Sequence, residues 1–218
     1  MAGQLNKVAS APAIYDAWYQ SARGSWIGQQ EFSSLLKLFT PKEGQNLLDV
    51  GCGTGYFSRR FQQSGLQVTG LDPDAAMINF AQTKETQIKY IEADALALPF
   101  TDNSFEYCSA ITSLCFVSQP KQALAEMWRV SRKAVILGLL NRDSLLYYMK
   151  RNSKGYQGAR WYNLNHIRQW ADKLIPAASL NYRSVIWLPG GGKISRLFEN
   201  IAPEHTPYAG FLAVVLKK

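Results

Sequence analysis

Cysteine and histidine are scarce in this chain: three Cys and two His among 218 residues. Cys52, Cys108 and Cys115 are odd in number and form no C-x-x-C spacing, which excludes a zinc-type cysteine cluster and a complete disulfide framework. Each reads as a reduced thiol serving as a small buried hydrophobe. His166 and His205 have no metal-ligand company, so no metal is expected. Long apolar runs are missing, so no segment spans a bilayer as a helix. The start, Met1-Ala2-Gly3-Gln4-Leu5-Asn6-Lys7, lacks the apolar stretch of a signal peptide, and the expected location is the cytoplasm. No repeat or low-complexity tract occurs. After Pro189-Gly190-Gly191-Gly192-Lys193 no G-K-[ST] pattern follows, so that tract is a flexible connection rather than a phosphate loop.

What is present is globular. Hydrophobic residues make up 47% and charged residues 18%, and the length suits one domain with a substantial core. The net charge of +8 is unevenly spread: residues 1–110 hold eight Lys and Arg against eleven Asp and Glu, residues 111–218 sixteen against five. Apolar runs at Asn46–Val50, Leu66–Leu71, Ile88–Ile91, Phe105–Ile111 and Ala134–Leu140 predict strands. Helical spacings separate them over Thr54–Ser64, capped by Gly65, and over Ala75–Thr83 and Gln122–Val130. Residues 13–38 predict a helical stretch interrupted at Gly24 and Gly28. That alternation implies an α/β, Rossmann-like, doubly wound and mostly parallel sheet with helices on both faces. Residues 142–162 have no regular period. A helix bearing Leu164, Ile167, Trp170, Ala171 and Leu174 follows, then strands Tyr182–Leu188 and Phe211–Leu216 as an antiparallel edge hairpin. The expected organisation is a single domain, 1–218: lid helices in 1–40, a cofactor-binding core in 45–141, a basic aromatic insert in 142–163, and a C-terminal helix with edge strands in 164–218.

The run Asn46-Leu47-Leu48-Asp49-Val50-Gly51-Cys52-Gly53-Thr54-Gly55-Tyr56 places a buried strand, a glycine loop and a helix N-terminus in sequence. Such a junction lets backbone and helix dipole approach a nucleotide-like ligand. The dinucleotide fingerprint G-x-G-x-x-G would need glycine where Tyr56 stands, which argues against a nicotinamide-dependent oxidoreductase. Functional residues in a parallel sheet sit at strand C-termini, and Asp49, Asp72 and Asp94 all do. Asp72, followed by Pro73, lies nineteen residues beyond Gly53 and suits a ribose diol, because a carboxylate accepts from both hydroxyls. Asp94 suits an exocyclic amine, and Met77, Ala95 and Leu96 suit the two faces of an adenine ring.

These segments together resemble class I S-adenosylmethionine-dependent methyltransferases, in the small-molecule branch that includes ubiquinone and menaquinone C-methyltransferases. Asp49 to Gly55, with Gly51, Cys52 and Gly53, resembles the motif that in the family holds the methionine part of the cofactor. Gly70-Leu71-Asp72 resembles its ribose motif. Ala93-Asp94-Ala95-Leu96-Ala97-Leu98-Pro99-Phe100 resembles its adenine segment, and Ala123-Leu124-Ala125-Glu126-Met127-Trp128-Arg129-Val130 the helix before strand five. The resemblance implies strand order 3-2-1-4-5-7-6, S-adenosyl-L-methionine as cofactor, S-adenosyl-L-homocysteine as product and methyl transfer by in-line displacement. Loop bracing is the competing role for Asp49.

A sulfonium is an activated leaving group, so the protein has mainly to align the acceptor and exclude water. No nucleophile–base pair stands out. Tyr15, Thr112 and His166 are the catalytic candidates, and Ile111 should line the chamber after strand four. The resemblance suggests Tyr15-Asp16-Ala17-Trp18-Tyr19 as a lid, with Trp18 closing the pocket. The expected acceptor is a small molecule, anionic ones included. The N-P-P-Y-like segment and Pro-Cys nucleophile of nucleic-acid base methyltransferases are absent. The insert, with Lys150, Arg151, Lys154 and Arg160 among Tyr147, Tyr148, Tyr156, Trp161 and Tyr162, suits an RNA strand, an anionic membrane surface or an acidic acceptor, or else aromatics packed on the sheet edge. A nucleic-acid methyltransferase and a non-catalytic cofactor-binding partner protein are the alternatives. Nothing in the sequence sets the oligomeric state.

Overall fold

The computed structural model describes residues 12–218; the Met1–Lys7 segment lies outside them. Two helices, α1 (Pro12–Trp18) and α2 (Ala22–Leu36), precede β1 (Asn46–Val50). The alternation then runs α3 (Tyr56–Gln63), β2 (Gln67–Asp72), α4 (Ala75–Lys84), β3 (Lys89–Glu92), β4 (Phe105–Ile111), α5 (Pro120–Val130) and β5 (Ser131–Leu140). The remainder comprises α6 (Leu145–Lys150), α7 (Leu164–Ala171), β6 (Ser179–Val185), α8 (Lys193–Ile201) and β7 (Phe211–Lys217). The seven strands form one sheet in the order β3-β2-β1-β4-β5-β7-β6. β7 alone runs antiparallel to its neighbours β5 and β6, and every other pairing is parallel. Fold class, strand order and antiparallel edge agree with the expectations from sequence.

Both faces of the sheet are covered, which is why its central strands are continuous apolar runs. Alternate residues feed opposite cores. Leu48, Val50, Cys108, Val135 and Leu137 pack with α5 and α7; Leu47, Tyr107, Ala134 and Ile136 pack with α2, α3 and α4.

Three expectations need correction. The break between the first helices falls at Tyr19–Ser21, and Gly24 and Gly28 lie inside α2. Ser21 is the N-cap: its hydroxyl accepts from the Gly24 N–H at 3.0 Å and donates to the Trp18 carbonyl. Gly24 is there for room, since a Cβ would stand 2.0 Å from the Trp18 carbonyl oxygen. Within 142–162 lie α6, capped by Ser144, and a 3-10 turn at Lys154–Tyr156. Finally, the glycine tract leads into α8. Its inward side chains are Ser195 and Glu199, while Ile194, Leu197 and Ile201 face solvent. Apolar-out, polar-in inverts the usual helix pattern and hid this one. Glu199 holds α8 to the end of β6 by accepting from the backbone N–H groups of Ile186 and Trp187 at 2.7 and 2.9 Å.

Candidate active site

The glycine loop turns from β1 into α3 at the carboxyl edge of the sheet, with left-handed backbone at Gly51, Gly53 and Gly55. At Gly53 a Cβ would meet nothing within 4 Å, so glycine is needed there for its φ of +54° and the surface stays open to a ligand. At Gly55 a Cβ would also come within 2.4 Å of the Tyr90 hydroxyl. The loop's donors are largely committed internally: the N–H groups of Gly51 and Cys52 both reach the Leu71 carbonyl, and that of Gly55 reaches Cys52. The loop therefore offers a ligand its shape more than free N–H groups.

Asp72, ending β2, ties the loop to the next strand. One carboxylate oxygen accepts from the Gly53 N–H at 2.9 Å and the other from the Asp74 N–H at 2.9 Å. Partial burial raises its pKa, and those two hydrogen bonds oppose the rise. Each oxygen keeps a free lone pair for a ribose hydroxyl. Asp49 lies underneath, 1% exposed, bridging the Ser58 hydroxyl of α3 at 2.6 Å and the Ser109 hydroxyl of β4 at 2.7 Å. This is the loop-bracing role: both oxygens point into the scaffold. Burial pushes its pKa up to about 6 against the two serine hydrogen bonds.

The other expected cofactor residues gather at the same edge. Pro73 and Met77 follow β2, Asp94, Ala95 and Leu96 follow β3, and Ile111 ends β4. Asp94 is exposed, and one oxygen already accepts from the Leu96 N–H at 2.9 Å, which shapes the turn. Ala95 is buried in the core, with Leu96 packed beside it.

Beyond Ile111, Thr112 adopts φ +53°, costly for a β-branched residue and a mark of a constrained position. Tyr15 lies edge-on to Tyr19, their ring centroids 5.8 Å apart. Tyr15 is 39% exposed as a whole residue, and burial raises its pKa. The helix α1 is pinned over the loop by Asp16, whose carboxylate pairs with Arg59 of α3 at 2.8 Å while Arg59 also donates to the Thr54 carbonyl. The buried lid residue is Tyr19, stacked on Tyr56 at 3.7 Å. Trp18, expected to close the pocket, lies edge-on outside Tyr19 and is 37% exposed. His166 has other work: its Nδ1 accepts from the Asn163 N–H, completing the capping box that starts α7. The insert packs inward, with Trp161 buried among Cys115, Leu140 and Leu146, and Tyr147 and Tyr156 against it. Burial pushes the Cys115 thiol up to about 12, so it is no nucleophile at neutral pH.

Two residues at the site escaped the sequence reading. Glu31 of α2 is buried to 7% exposure, and its signal was a single acid in an apolar stripe with Ile27 and Leu35. Tyr90 of β3 keeps a buried hydroxyl without a partner beside Gly55; nothing in its strand pattern marks it.

The sheet topology, the glycine loop and the acid closing β2 define a Rossmann-like protein of the nucleotide-binding kind. Residues 48–138 match the methyltransferase domain family. A malonyl-[acyl-carrier protein] O-methyltransferase of Erwinia billingiae is 39% identical over 143 residues, 65% of this chain and 57% of that protein. A demethylmenaquinone methyltransferase of Renibacterium salmoninarum is 43% identical over 89 residues, 41% of this chain and 38% of that protein. The chain thus spans about half the length of the curated relatives it matches. A solved SAM-dependent methyltransferase from Thermotoga maritima, described as a possible histamine N-methyltransferase, shares the fold. It superposes with a TM-score of 0.76 at 22% identity, over 94% of this chain and 95% of that one. The resemblance seen in the motifs is borne out. The donor set agrees with it: a cradle left open at Gly53 and a carboxylate at Asp72 with lone pairs for a diol.

Proposed function

We propose that this protein is a methyltransferase that moves a methyl group from S-adenosyl-L-methionine to a small-molecule acceptor. The observation that carries the reading is Asp72, held by the Gly53 and Asp74 N–H groups at the carboxyl end of β2 with its free lone pairs at the open cradle. The cofactor supplies an activated methyl group on a sulfonium and is released as S-adenosyl-L-homocysteine. The chain supplies the rest. Gly51, Cys52 and Gly53 shape the seat of its methionine part. Asp72 with Pro73 orients the ribose, and Asp94, Ala95, Leu96 and Met77 frame the adenine. Ile111 and Thr112 line the chamber, and α1 with the turn after it excludes water through Tyr15 and Tyr19. Asp49 acts from below, keeping β1, α3 and β4 in register.

The acceptor in this reading is a small molecule. The insert's aromatics support this more than a nucleic-acid track, since Trp161 and Tyr162 are buried and Arg160 is spent on the Val117 and Ser118 carbonyls. Unpaired Cys52, Cys108 and Cys115 fit a reducing, cytoplasmic setting. No described helix is long and apolar enough to cross a membrane.

Calorimetric titration with S-adenosyl-L-homocysteine tests the cofactor reading. Asp72→Asn should weaken binding by roughly 10- to 100-fold, the range for a lost hydrogen bond to a charged group. The melting temperature should fall by only a few degrees, because the amide oxygen keeps one of the two backbone N–H bonds. Unchanged affinity would refute the assignment of Asp72.

A further inference from the structure

The helix α8 turns its apolar side to water. Ile194, Leu197 and Ile201 are 79%, 68% and 77% exposed, and Phe198 is 40% exposed. Their spacing of i, i+3, i+4 and i+7 sets all four on one stripe of the helix. Ser195 and Glu199, one turn apart, take the buried side. The orientation is fixed from two directions. Glu199 accepts from the Ile186 and Trp187 N–H groups. Arg196 donates to the Ala22 carbonyl of α2 at 2.9 Å and to the Gly191 carbonyl at 3.1 Å. Rolling α8 to bury the stripe would break these bonds and strand a carboxylate. The stripe is thus a built surface of the folded chain, and a contiguous apolar face in water marks a place of contact.

The charges beside it select the contact. Lys193 and Arg196 are exposed on α8, whereas its one acid, Glu199, faces inward. On α6, Leu145, Tyr148 and Met149 are exposed at the spacing i, i+3 and i+4, and Lys150 and Arg151 follow them. Because β5 and β6 both run antiparallel to β7, α6 and α8 follow strands that end at the same edge of the sheet. At that edge Gly210 donates to the Ile186 carbonyl at 2.9 Å and lies against the Leu146 side chain, and Tyr208 beside it is exposed. Among the described residues none of Lys150, Arg151, Lys193 and Arg196 pairs with a carboxylate. Glu204, the first acid after α8, is taken by Lys37 and Arg183. Apolar stripes bordered by unneutralised cations complement an anionic lipid surface, whose acyl chains take the apolar side chains and whose phosphates take the bases. A second copy of the chain would set these bases against themselves.

We propose that α8 and α6 form a docking surface for a bilayer containing anionic phospholipid. The proposal rests on this surface alone and is independent of the methyltransferase reading. The full chain is tested by flotation with vesicles of phosphatidylcholine alone and of equal parts phosphatidylcholine and phosphatidylglycerol. Partition should be at least about tenfold stronger into the anionic vesicles and should weaken as salt is raised. Replacing Ile194, Leu197 and Ile201 together by serine should lower partition by at least about tenfold, and Lys193→Gln should lower it by about fivefold. Both variants should keep the parent's circular dichroism spectrum and melting temperature, because the altered side chains already stand in water. If the triple variant does not fold, Ile201→Ser alone, expected to lose at least about threefold, carries the same decision. Equal partition into the two kinds of vesicle, or undiminished partition of the serine variant, overturns the proposal. A dimer in sedimentation velocity that the serine variant turns into monomers assigns the stripe to a second copy and overturns it as well.

Discussion

Two buried acids show how one residue type serves opposite ends. Asp49 is fully partnered, and its cost of burial is offset by two hydroxyl donors that knit β1 to α3 and β4. Glu31 has no such partners, and burial, opposed by Arg60, pushes its carboxyl up to about 8 from a usual 4.5. The folded state therefore holds this proton more tightly than the unfolded chain does. The stability that Glu31 lends is complete below about pH 4.5 and lost as pH climbs through about 8. Tyr15, Tyr19, Tyr56 and Tyr156, which feel its charge, have pKa values raised by burial above the tyrosine norm and stay neutral across that window. Glu31→Gln should accordingly match the parent in thermal melting near about pH 5 and melt several degrees higher near about pH 9. Parallel melting curves at both values would contradict the burial argument.

At the level of elements, the α1–α2 corner sets how α1 lies over the glycine loop. Ser21 caps α2 and returns a hydrogen bond to α1, and Gly24 lets the Trp18 carbonyl approach. Gly24→Ala would force backbone against a methyl group, at a cost of about 1–3 kcal/mol. It should also displace α1, with its Asp16–Arg59 tie, from above the glycine loop. Denaturant melts should show the lost stability, and the affinity for S-adenosyl-L-homocysteine should fall with it. A variant with parent-like stability and binding would show that the corner tolerates opening. At this corner the sequence pattern misled: glycines inside residues 13–38 signal a break, but their reason is closeness of packing, and the break belongs to Ser21. The same holds for α8, whose period is plain once its apolar face is known to point outward.

The whole molecule is one sheet with a core on each face, so the two cores share every central strand. Residues 12–218 should unfold in a single transition, seen alike by far-ultraviolet circular dichroism and tryptophan fluorescence. S-adenosyl-L-homocysteine at about a hundred times its Kd should stabilise the fold by about 2.7 kcal/mol, a rise of roughly 5–10 °C for a domain of this size. Two separate transitions would contradict the single-domain reading of residues 1–218. The charge asymmetry also takes its meaning at this scale. The acids Asp49 and Asp72 lie at the loop, whereas insert bases such as Arg151 and Arg160 are occupied by the Tyr147 ring and by backbone carbonyls.

The sequence by itself determined the sheet and its cofactor edge. Asn46–Val50 and Phe105–Ile111 were readable to the residue, because a strand buried on both faces must be a continuous apolar run, and because glycine at 51, 53 and 55 meets a local demand of backbone and ligand room. Asp72 was legible for the same reason, its distance from the loop being set by one helix and one strand. Only the tertiary structure decided what Asp49, His166 and Glu31 do. An acid or imidazole looks the same in sequence whether it braces a loop, caps a helix or is buried without a partner. The difference lies in donors brought from remote segments, such as Ser109, sixty residues from Asp49.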